Sequence, residues 1–145
     1  MTLKEYKDYF KQEFRWEYSI SIGKIDNNQE KAICFYNSKM SNDYVGVFGG
    51  IKNKSTNIKS VTILLRYTKN QNDAEIMAQK IYDFFNERSF FINNKRVFVQ
   101  HLYNEPINLG TDDNNVYEYS IELKFYEERW GIRNGKYKNR TVFGK

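Results

Sequence analysis

From Val116 to Phe125 the side chains alternate in strict period two. Tyr117, Tyr119, Ile121, Leu123 and Phe125 fall on one side, and Glu118, Ser120, Glu122 and Lys124 on the other. Successive side chains of an extended chain point to opposite faces, so this stretch reads as a strand with one buried and one polar face. A sheet built around it must bury its apolar face against a second layer.

The second layer is supplied upstream. Asn72-Asp73-Ala74-Glu75 has the form of a capping box, with the Asn side chain accepting from a first-turn amide and the Glu reaching back. Ala74, Met77, Ala78, Ile81, Phe84 and Phe85 then recur at helical spacing, while Glu75, Gln79, Lys80, Asp83 and Glu87 take the other side. The pattern predicts an amphipathic helix over 73–88. Ser60 to Tyr67, short and β-branched, reads as the strand that feeds it. Together they imply an α+β fold: a mixed, mostly antiparallel β-sheet with an N-terminal helix and this central helix packed on it.

The rest of the chain fits that scheme. Thr2-Leu-Lys-Glu5 is another capping-box candidate, and Leu3, Tyr6, Phe10 and Phe14 follow at helical spacing, which predicts a first helix to about Phe14. From Trp16 the period changes to two, and the polar cluster Asp26-Asn-Asn-Gln29 leads into Lys31 to Tyr36, so this region reads as a β-hairpin. Phe90-Phe-Ile92 and Val97-Phe-Val99 flank Asn93-Asn-Lys-Arg96 as a second hairpin. Between 37 and 59, one short strand, Tyr44 to Phe48, is expected between two exposed loops. Tyr103 to Asn115, with the single Pro and the run Leu109-Gly-Thr-Asp-Asp-Asn-Asn115, reads as a loop.

At 145 residues one domain over 1–128 is expected, and a chain of this size buries roughly 70% of its unfolded surface. The lone cysteine, Cys34, excludes a disulfide framework within the chain and favours a reducing compartment. No leader of signal-peptide type opens the sequence and no run of 18 apolar residues occurs, so neither a secretory nor a membrane-spanning role is expected. The net charge of +5 is uneven: residues 129–145 hold six Lys+Arg and no acid, while 1–128 are nearly neutral.

Reaction chemistry finds little anchor. His101 is the only histidine, so a metal site of His/Cys type would need Cys34 and carboxylates without recognisable spacing. No nucleophile elbow or phosphate loop is present; Gly46 and Gly49-Gly50 read as strand bends. Asp112 and Asp113, with Asp43 or Glu105, could form a carboxylate pair or a cation site, but Asp-Asp-Asn-Asn ahead of a strand reads as a solvated turn whose side chains bond their own backbone. No cofactor, metal or enzymatic activity is expected. In the basic tail, Trp130 and Tyr137 interleave with cations. That composition suits phosphate contact with base stacking, a solvated terminus, or an arm that orders against a neighbouring subunit.

The strand Ser60 to Tyr67, the helix Ala74-Glu-Ile-Met-Ala-Gln-Lys-Ile-Tyr-Asp-Phe-Phe85, and Pro106-x-x-Leu109-Gly-x-Asp112 leading into the alternating strand together resemble the minor capsid or tail-terminator proteins of tailed bacteriophages, also found in prophages and phage-derived particles. The resemblance runs from about Ile33 to Phe125. It implies a structural virion protein that assembles in the host cytoplasm as a homo-oligomeric ring, usually a hexamer. Such a ring caps the tail tube protein and meets the head-connector or stopper protein at head–tail joining. Read from the residues themselves, candidate contacts fall on Tyr44, Phe48, Lys52 and Lys54 in the first excursion, Leu109, Asp112 and Asp113 in the second, and Trp130, Arg133, Lys136, Lys138 and Arg140 in the tail, which lies outside the resemblance. The alternative reading is a small nucleic-acid-binding protein acting through that tail.

Overall fold

In the computed structural model, which describes residues 1–38 and 56–128 and the backbone of 132–133 and 136–137, two helices cover one face of a curled sheet. The first helix, α1 (Leu3–Phe14), starts as expected: Thr2 accepts from the Glu5 amide, and Glu5 accepts from the Thr2 amide at 2.7 Å. It stops where Arg15 enters the left-handed region. The central helix, α2 (Gln71–Phe85), begins earlier than its sequence suggests. Asn70, not Asn72, is the cap, accepting from the Asp73 amide at 3.1 Å. Thr68, itself left-handed, turns the chain sharply after the preceding strand, and Asn72 thereby falls inside the first turn.

The strands are β1 (Ser19–Ile22), β2 (Lys31–Asn37), β3 (Thr56–Tyr67), β4 (Ser89–Ile92), β5 (Lys95–His101), β6 (Ile107–Thr111) and β7 (Tyr117–Glu128). Their spatial order is β1-β2-β3-β7-β5-β4, with β6 also on β7. Two further two-residue strands, β8 (Ile132–Arg133) and β9 (Lys136–Tyr137), pair only with each other. β5 and β6 share one flank of β7, β5 against 123–127 and β6 against 117–120.

The β4–β5 hairpin forms as expected, with Asn93 and Asn94 both at positive φ, the requirement of a two-residue turn matched to strand twist. The first hairpin does not form. β1 runs parallel to β2, pairing Ser19 with Ala32 and Ile22 with Phe35. Gly23, at φ +79°, turns the chain back, and residues 23–30 return across the sheet face away from the helices, burying Ile25 against Ala32 and Cys34. Alternation specifies a strand but not its direction, and here the buried Ile25 decides the path. The stretch from Tyr103 to Asn115 is likewise not all loop, because β6 lies within it. Its β-bulge between Asn108 and Gly110, and the polar residues around it, mask the period. The expected strand Tyr44 to Phe48 lies outside the described residues.

The core forms between the helices and the faces of β2, β3, β7 and β5 that carry Ile33, Phe35, Val61, Ile63, Leu65, Ile121, Leu123, Phe125, Val97 and Val99. Each fully buried side chain of this kind contributes about 1.5–3 kcal/mol. Tyr6 of α1 stacks on Phe125 at 4.0 Å, and Phe10 touches Phe35, Phe84 and Phe85. The hydroxyl of Tyr6 donates to Glu127, whose other oxygen accepts from the Met1 amine at 3.4 Å. Burial and the Glu127 carboxylate push the Tyr6 phenol far above its ordinary range.

Candidate assembly surface

The same period that buries odd-numbered residues of β7 leaves Glu118, Ser120, Glu122, Lys124 and Tyr126 on the opposite face. They are joined there by Thr62 and Leu64 of β3 and Phe98 and Gln100 of β5. Among the described residues, no helix covers this side. Near β1 and β2 it is closed by the 23–30 return, and farther along the strands it opens into a groove of about 430 Å³. It is lined by Tyr36, Leu64, Tyr103, Ile107 and Leu109 together with Thr62, Ser120 and Glu122.

Leu109 reaches the groove because the β6 bulge turns the backbone there. Gly110 sits at φ +87°, and its amide donates to Asn108 Oδ1 at 2.7 Å. Half of the Leu109 side chain is exposed. Two hydroxyls hold Glu122: Thr62 Oγ1 donates to one oxygen and Ser120 Oγ to the other, each at 2.6 Å. Among the described residues no cation lies within ion-pair distance of it.

A second apolar area lies at the β4 edge, where Phe91 and Phe98 are about half exposed and the Arg96 guanidinium stands 5.4 Å from the Phe91 ring. At the other edge of the sheet, Ile22 of β1 is 44% exposed. The two lateral edges thus differ in sequence and in what they present.

Asp112 sits apart from this surface in a structural role. Its Oδ1 accepts from the amides of Asn114 and Val116, and its other oxygen pairs with the buried guanidinium of Arg66. Arg66 in turn donates to the carbonyls of Gln29 and Asn27. One arginine therefore ties the β6–β7 turn to the 23–30 return. Asp113 is exposed in the same turn. Of the expected contact residues that are described, Leu109 lines the groove, whereas Asp112 and Asp113 do not. Tyr44, Phe48, Lys52, Lys54, Trp130, Lys138 and Arg140 lie outside the described residues, as do the side chains of Arg133 and Lys136.

The sequence reading missed the groove itself. Its residues come from β2, β3, β6 and β7, which no local motif links; the only trace is the pairing of Leu64 with polar neighbours on the even-numbered side of β3.

His101 and Cys34 do not meet. Cys34 is buried under the 23–30 return, whereas His101 stacks on Tyr82 at 3.6 Å beside α2, with Nε2 3.0 Å from the Tyr82 carbonyl. Burial holds the His101 pKa below its ordinary value. No group of three or more potential metal ligands occurs among the described residues, and none of their helices is long and apolar enough to cross a membrane.

Residues 11–127 match the sequence family described as bacteriophage tail terminator protein. The chain belongs to that family. No curated protein and no solved structure matches it. The match takes in the last turn of α1, the whole of α2 and nearly all of the seven-stranded sheet, so membership in the tail terminator family rests on the folded core. A structural role in the phage tail accounts for a surface built of grooves and edges. Leu109 and Phe91 are each about half exposed on that surface.

Proposed function

We propose that copies of this protein join head to tail into a ring, of six subunits as in the resemblance above, that caps the finished tail tube and offers a surface for head joining. Family membership supports the tail role, and the unlikeness of the two sheet edges supports the ring. A closed ring needs heterologous contacts, in which one patch meets a different patch on the next copy. The β1 edge with Ile22 and the β4 edge with Phe91 and Phe98 provide such a pair, and the groove face provides a third surface for the tube or connector.

The reading involves no catalysis. The test is deletion of the gene in its producing host, followed by negative-stain electron microscopy of the induced lysate. Filled heads beside separate tails, some abnormally long, are expected; normally joined particles would overturn the proposal.

A further inference from the structure

On the open face, Glu122 has no cation within ion-pair distance among the described residues. Its two partners, Thr62 and Ser120, are neutral hydroxyls, so its charge is oriented but not compensated among the described residues. Leu64, Ile107 and Leu109 line the same groove. Apolar side chains beside a carboxylate match a lysine, whose methylene stem packs on them while its ammonium reaches the carboxylate.

The chain concentrates its cations in one place. Residues 129–145 carry six Lys+Arg and no acid. Lys136 belongs to β9, which pairs with β8, and Lys138 follows it in sequence. β7 carries the chain from Glu122 to Glu128, about 20 Å at roughly 3.3 Å per residue. Glu128, after which the basic segment begins, therefore lies well beyond Glu122 of its own copy.

We infer that the groove of one copy receives the basic segment 129–145 of a second copy, with Lys136 or Lys138 on Glu122. The inference rests on the head-to-tail reading above insofar as two copies must meet, and it adds the two unlike patches of one such contact: an acidic groove on one side and a basic arm on the other.

The test uses the full chain. Unlabelled and ¹⁵N-labelled protein are mixed and treated with a carbodiimide, which joins carboxylates to amines in contact. Joined peptides are identified by mass spectrometry, and light scattering on the same sample reads the size of the assembly. The expected result is Glu122 joined to Lys136 or Lys138 in pairs of mixed isotope, with loss of the product in Glu122→Gln and weakening at high salt.

Pairs confined to one isotope would mean that the tail folds onto its own groove, and would overturn the inference. So would absence of any Glu122 product, including the case in which the tail instead shifts DNA in a gel. Ring-sized particles without a Glu122 product would overturn this contact alone and leave the ring proposal standing.

Discussion

The two faces of the central sheet are built from alternate residues of the same strands, yet they serve different ends. On the helix side, β7 contributes Tyr119, Ile121, Leu123 and Phe125, all buried under α1 and α2. On the other side, it contributes Glu118, Ser120, Glu122 and Lys124, with neither α1 nor α2 above them. The helix face holds the fold together, and the open face is free to hold something else. On the proposed reading, a substitution on the helix face costs stability, and one in the uncovered groove costs assembly.

The largest effect expected is on the helix face. Phe125 is fully buried and stacks on Tyr6, so Phe125→Ala removes a large side chain from a site that cannot collapse. A loss of about 3–5 kcal/mol is expected in urea unfolding. A loss below about 1 kcal/mol would mean that this face does not carry the fold.

The next effect sharpens the comparison, because it lies on the open side. Arg66 is 2% exposed and holds Asp112 together with two carbonyls of the 23–30 return. Asp112→Ala leaves that guanidinium buried without its counter-charge, and is expected to cost about 3 kcal/mol. The open face is thus structural where the return covers it and free where the groove begins.

Two titrations give smaller effects from the helix side. Burial lowers the His101 pKa, so the folded chain binds that proton less readily than the unfolded chain. The contribution of His101 is full above its unfolded value of about 6.5 and falls away as pH drops through the folded value. Melting temperature should decline on acidification from neutral pH, and His101→Gln should flatten that decline. Tyr6 has the opposite sense: its raised pKa gives stability that is complete below about pH 10 and is lost as pH rises above it. Tyr6→Phe should remove that alkaline loss.

The smallest effect expected is at the exposed pair Lys4–Asp8 on the outer side of α1. Lys4→Ala should leave the melting temperature unchanged within error, since exposed ion pairs of this kind contribute little.

What the sequence made legible follows the range of the interaction. The Thr2–Glu5 capping box, the Asn93–Asn94 turn and the alternation of β7 are local, and each appears where its residues place it. The family resemblance, carried by the strand, helix and Leu109-Gly-x-Asp112 together, was legible for the same reason and agrees with the match over 11–127. The parallel pairing of β1 was not legible, because it depends on Ile25 finding Ala32 and Cys34 across the sheet. β6 was hidden by its bulge, and the early start of α2 by the turn at Thr68. Asp112 sat in a recognisable turn, but its pairing with Arg66, 46 positions earlier in the chain, is a tertiary fact. The groove is of the same kind, assembled from four strands.

The division of labour between the faces is tested most directly at Leu109. Leu109→Asp puts a charge in the groove lining at a half-exposed position, where the stability change should stay within about 0.5 kcal/mol. The variant is supplied to a host lacking the wild-type gene, its melting temperature is compared with wild type, and the induced lysate is imaged by negative stain. The account predicts an unchanged melt together with unjoined heads and tails. Normally joined particles from a folded Leu109→Asp protein would contradict it.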